Sequence, residues 1–160
     1  MAKLADAPGA AVTWSSDASI AYAILRLTFG VNIGLRGLTR LINGTDVLAA
    51  DFLKQFQNPV IPVPGVEAFA HVLPWVETVI GLLLVTGFQT RTALIVGGLM
   101  MTVLTAGTMA IQNFQTAWLQ LTYALIFFVL LAFRAWNLIS LDALMGTRAV
   151  GESEAARVRA

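Results

Sequence analysis

Four apolar runs, 20–41, 69–88, 92–111 and 118–133, constrain this chain more than any motif in it. Helix rise of about 1.5 Å per residue lets the first three cross a hydrocarbon core about 30 Å thick, and the shorter fourth continues through Arg134 and Trp136 into the interface. The chain is therefore read as a membrane protein. Its composition agrees, with 58% hydrophobic and only 12% charged residues, far from the balance of a soluble domain. The predicted fold is all-α: a polytopic, antiparallel four-helix transmembrane bundle with an amphipathic helix in the first connection. At 160 residues the chain divides into an N-terminal tail at 1–17, the bundle at 18–145 and a C-terminal tail at 146–160. That leaves no room for a separate soluble catalytic domain.

A net charge of +1, with basic residues scattered along the chain, implies no nucleic acid partner. The absence of cysteine removes thiolate nucleophiles, disulfide exchange, iron–sulfur clusters and thiolate metal sites together. Any redox role must use a bound cofactor or another subunit. The first 17 residues contain Asp6, Pro8, Gly9, Ser15, Ser16 and Asp17 with a single lysine, which is unlike a cleaved signal peptide. The first run is expected to stay as a retained helix. With both termini on one side, that side carries Lys3, Arg91, Arg134, Arg148, Arg157 and Arg159, against Arg40 and Lys54 on the other. This asymmetry predicts both termini in the cytoplasm, and the membrane is taken to be a bacterial inner membrane.

In the long first connection, residues 46–57 place Val47, Phe52, Leu53 and Phe56 near one helical face, away from Asp51, Lys54 and Gln55. Such a segment is predicted to lie as a helix in the headgroup region. Asn58 to Gly65, with prolines at 59, 62 and 64, is expected to stop it and to hold the chain extended or turned before the second span. The pair of elements forms either a structural lid or a gate over a ligand cavity.

The polar residues inside the runs are the candidates for function. A buried carboxylate such as Glu77 needs a partner, and the first run supplies Arg26, Arg36 and Arg40 on an arc about 120° wide that also includes Asn32. The expected buried ion pair is Arg26 with Glu77, and Arg36 is the other base considered within reach. Gly30 and Gly34 have the spacing that lets membrane helices approach closely. The antiparallel second run brings Glu67, His71, Trp75 and Glu77 to the same half of the membrane as Arg36 and Arg40. Arg36, Arg40, His71, Trp75 and Glu77 are therefore the candidate ligand pocket. A single histidine excludes a haem held by two histidines of this chain, and no metal-ligand spacing occurs.

The third run carries small and hydroxyl residues suited to close packing, with Met100, Met101 and Met109 as adaptable filler. Trp118, Tyr123 and Trp136 read as interfacial anchors. There is no phosphate-binding loop, dinucleotide fingerprint, Ser/His/Asp arrangement or internal repeat.

Leu25-Arg26-Leu27, Arg36 to Leu41, Val60-Ile61-Pro62-Val63-Pro64, Glu77 with Gly81 to Ala93, and Ile139-Ser140-Leu141-Asp142 together resemble the DoxX/DoxD family of four-helix membrane proteins, from about residue 20 to 144. Arg40 stands where that family usually has lysine, and Ala135-Trp136-Asn137-Leu138 replaces its glycine-rich lead-in. The resemblance implies a membrane subunit of an oxidoreductase system, similar to a subunit of thiosulfate:quinone oxidoreductase. It marks Arg26, Glu77, Arg91 and Asp142 as family-pattern polar residues. A quinone would then meet Arg36 or His71 at a carbonyl, Glu77 would relay a proton, and Arg26 would hold the counter-charge. No covalently bound cofactor is expected. The alternative is a non-catalytic accessory or assembly subunit that docks other subunits of a membrane complex, with a small-solute carrier as a third reading.

Overall fold

A computed structural model describes residues 15–56 and 62–146. The tails at 1–14 and 147–160, Gln57 at the end of the expected amphipathic helix, and the Asn58 to Ile61 part of the expected helix stop lie outside the described residues. Among the described residues, four helices are long and apolar enough to cross a membrane: α1 (Asp17–Asn43), α3 (Val63–Thr86), α4 (Thr90–Ala110) and α5 (Phe114–Ala132). Between the first two lies the shorter α2 (Thr45–Gln55), and a single 3₁₀ turn (Arg134–Trp136) follows α5. The chain is an all-α, multi-pass membrane protein.

Local chemistry sets the helix ends. Ser16 caps α1 by accepting a hydrogen bond from the Ser19 amide at 3.3 Å, and Asn113 caps α5 through the Thr116 amide at 3.1 Å. The second span starts six residues before the apolar run does, because Pro62 is its cap and Pro64 lies in its first turn. Proline costs nothing there, since first-turn amides have no partner within the helix. The pair at 62 and 64 thus starts α3 instead of holding the chain away from it. Pro74 lies deeper inside α3 and removes one backbone hydrogen bond one turn before Glu77. At its other end α3 stops at Gly87 (φ 68°), a left-handed cap.

The bundle is assembled from two tight pairs, α1 with α3 and α4 with α5. Gly34 and Gly81 face each other across the first pair and bring the backbones into contact, with Gly30 against Leu84 and Val85 and Gly37 against Pro74 and Thr78. These contacts set an antiparallel register in which Arg26 is level with Gly87 and Arg40 with the turn before Glu77. The two pairs join through aromatic packing. Phe29 meets Phe127 edge-on at 4.8 Å and Tyr123 at 5.5 Å, the ring of Phe127 fills the space that Gly97 leaves, and Tyr22 donates to the Leu130 carbonyl at 2.9 Å. Ile33, Leu73, Leu84, Leu94 and Met101 complete this core.

The α2 helix packs chiefly on α3. Its inward face consists of Ala49, Phe52, Leu53 and Phe56, whereas Val47 is exposed. Val47 lies about 140° round the helix from Phe52 at 100° per residue, so it belongs to the opposite face.

Candidate functional site

At the end of the bundle covered by α2, residues of both helix pairs line a partly open cavity of about 850 Å³. Its walls are mostly apolar, with Phe52 of α2 and Phe56 just after it, Phe69 and Leu73 of α3, and Met101 and Leu104 of α4. Its polar groups are concentrated on α1, Glu77 and α5. Arg40 Nη1 lies 2.6 Å from Glu77 Oε2, and Glu77 is only 1% exposed. Arg36 lies over the Tyr123 ring, its Cζ 4.6 Å from the centroid, and Nη2 donates to the Tyr123 hydroxyl. That hydroxyl in turn donates to Asn32 Oδ1 at 2.9 Å. Across the α4–α5 pair, Thr108 donates to Gln120 Oε1 at 2.7 Å, and both residues line the cavity.

The expected pair of Arg26 with Glu77 is corrected by this geometry. Arg26 is level with Gly87, ten residues along α3 from Glu77, or about 15 Å of helix. Arg40 holds the carboxylate instead. Arg26 is 2% exposed and donates from Nη2 to the Ile139 carbonyl at 2.9 Å, with Nε and Nη1 lacking hydrogen-bond partners among the described residues. Its charge is accommodated by the C-terminal end of α3, whose cap Gly87 it touches, and by the nearby Asp142.

Of the five candidate pocket residues, Arg36, Arg40 and Glu77 line the cavity. The other two do not. Trp75 is 61% exposed on the outer surface of α3, and His71 turns to α2, with Nδ1 2.9 Å from Thr45 Oγ1 and Nε2 3.9 Å from Asp46. Arg91 is exposed at the start of α4. Asp142 has a structural role: its two carboxylate oxygens accept from the Gln89 and Thr90 amides at 2.7 and 2.8 Å. Gln89 is left-handed (φ 46°) and makes no side-chain cap, so Asp142 caps α4 from outside. Tyr123, Gln120 and Thr108 were not anticipated in the cavity. The available signal was Gln120 and Tyr123 three residues apart, a polar pair on one face of an apolar span. Among the described residues, no group of three or more His, Asp or Glu is arranged to hold a metal.

The fold and cavity define a class: multi-pass α-helical membrane proteins with a partly open, partly charged cavity at one end. Residues 18–117 match the family described as methylamine utilisation protein MauE. The chain belongs to the MauE family, a family of membrane proteins linked to methylamine utilisation. No curated protein and no solved structure matches it. The match corrects the DoxX/DoxD resemblance, whose most specific segment, Glu77 to Ala93, lies inside the MauE match. That segment has a local structural explanation, because Gly81 is a helix contact, Gly87 a left-handed cap, and Thr90-Arg91 the first turn of the next helix. Any tight antiparallel helix pair with a short turn selects similar residues.

Proposed function

We propose that this chain is a non-catalytic accessory membrane protein of a methylamine utilisation system, and that it holds an amphipathic molecule in the cavity beneath α2. The cavity carries this reading. Its volume of about 850 Å³ falls within the ~300–1,000 Å³ typical of ligand pockets, and its apolar walls with a few convergent polar groups are typical of such pockets. The chain has no cysteine, and its one histidine is engaged with α2, so the chemistry is assigned to partner subunits. The quinone linkage loses its basis together with the DoxX/DoxD resemblance.

Native mass spectrometry of the protein released from its own membranes in mild detergent tests this. A small-molecule adduct is expected on the parent protein and not on Leu104→Trp, in which the indole occupies the cavity. An adduct-free parent, or an adduct equally retained by the variant, would overturn the reading.

We further propose that the cavity end faces outward in a bacterial inner membrane, with both termini cytoplasmic, as the basic asymmetry supports. An alkaline phosphatase fusion after Lys54 is expected to be active and one at the C-terminus inactive. The reverse pair would invert the orientation.

A further inference from the structure

The cavity wall carries two guanidinium groups, Arg36 and Arg40, and one carboxylate, Glu77. Arg40 is matched with Glu77 at 2.6 Å, whereas among the described residues no carboxylate lies within ion-pair distance of Arg36. Of the five N–H donors of a guanidinium, the one directed at Tyr123 is the only one with a protein acceptor among the described residues. A cation at membrane depth is costly without a counter-charge. Arg36 also acts on the Glu77 charge from a distance, but two guanidinium groups against one carboxylate leave the lining with a net positive charge, which an anion would offset.

A second observation concerns the opposite wall. Along the α3–α4 seam runs a groove of about 240 Å³ lined by apolar side chains alone, Val72, Val76, Val96 and Leu99 among them. Phe69, Leu73 and Val103 belong to both this groove and the cavity. The two spaces adjoin, and the groove opens where α3 and α4 face the lipid, since Val72, Val96 and Leu99 are exposed. An occupant with its charged group at Arg36 would thus have only the apolar side chains of Phe69, Leu73 and Val103 between it and a groove that opens to the bilayer.

We infer that the cavity takes a single-chain anionic amphiphile, with its carboxylate or phosphate on Arg36 and Gln120 and its alkyl tail passing along the α3–α4 seam. This rests on the accessory, ligand-holding reading above and names the ligand class. A guanidinium binds either head through paired N–H donors. The α3–α4 groove has room for one tail, which favours this ligand over a two-chain phospholipid, and the net positive lining favours it over a neutral ring compound.

The test uses the full chain in nanodiscs of phosphatidylcholine, with radiolabelled palmitate, palmitoyl lysophosphatidate and hexadecanol as probes and empty nanodiscs as the blank. At least one anionic probe is expected to bind about ten-fold or more tightly than hexadecanol, the equivalent of about one close charge interaction. Which of the two anions binds better identifies the source as free fatty acid or lysolipid. Arg36→Gln is expected to abolish the preference and Arg36→Lys to keep it, so loss of fold is distinguished from loss of charge. Equal binding of hexadecanol and both anions, or a preference that survives Arg36→Gln, overturns the anionic assignment while leaving a ligand-holding cavity. Binding of none of the three overturns both.

Discussion

Gly81→Val is expected to give the largest loss of stability of any single change at the α1–α3 contact. A Cβ at position 81 would overlap the Gly34 backbone and the Gly30 carbonyl, and neither can rotate away as a side chain would. The helices must separate along their tightest seam, and the expected loss is at least ~4 kcal/mol, in the range reserved for severe core disruption. Thermal unfolding in detergent measures it, with Gly65→Ala as the control because nothing lies within 4 Å of a Cβ built there. A midpoint for Gly81→Val within about 2 °C of the parent would show that the two helices do not meet at Gly34 and Gly81.

Arg40→Leu is expected to cost roughly 3 to 5 kcal/mol, because it leaves Glu77 buried without its ion-pair partner. Glu77→Gln should cost less. The Arg40 side chain is 30% exposed and can turn its charge toward the surface when the carboxylate is gone. Combining the two changes should recover part of the loss, whereas combining Glu77→Gln with Arg26→Leu should be additive within about 0.5 kcal/mol. Double-mutant cycles on unfolding midpoints discriminate. Coupling of Glu77 to Arg26 in place of Arg40 would contradict the register set by the glycines.

Most of the architecture was legible in the sequence, because apolar runs of membrane-spanning length admit few other structures. The four spans, the amphipathic α2 and the importance of Gly34 could all be read from spacing. Depth could not. Arg26, Arg36 and Arg40 share an arc on α1, but the arc does not say which of them is level with Glu77. That is decided by Gly34 seating on Gly81, a contact between residues 47 positions apart. Trp75 and His71 were misplaced for a related reason: both lie within one or two turns of Glu77, yet rotation about α3 sends one to lipid and the other to α2. Tyr123 was read as an interfacial anchor because aromatic residues near span ends usually are. Its bond to Arg36 depends on how α5 packs against α1, and no local pattern encodes that.

Arg26 is buried in the first span, yet the one hydrogen bond its guanidinium makes among the described residues is to Ile139, 113 residues further along the chain. The α4 helix likewise obtains its N-terminal cap from Asp142. During synthesis, all four spans can enter the bilayer while this end of the bundle still lacks both contacts. The short segment after α5 returns across the bundle end and ties the first helix to the turn between the second and third spans, so this end of the bundle is closed by the last part of the described chain to be synthesised.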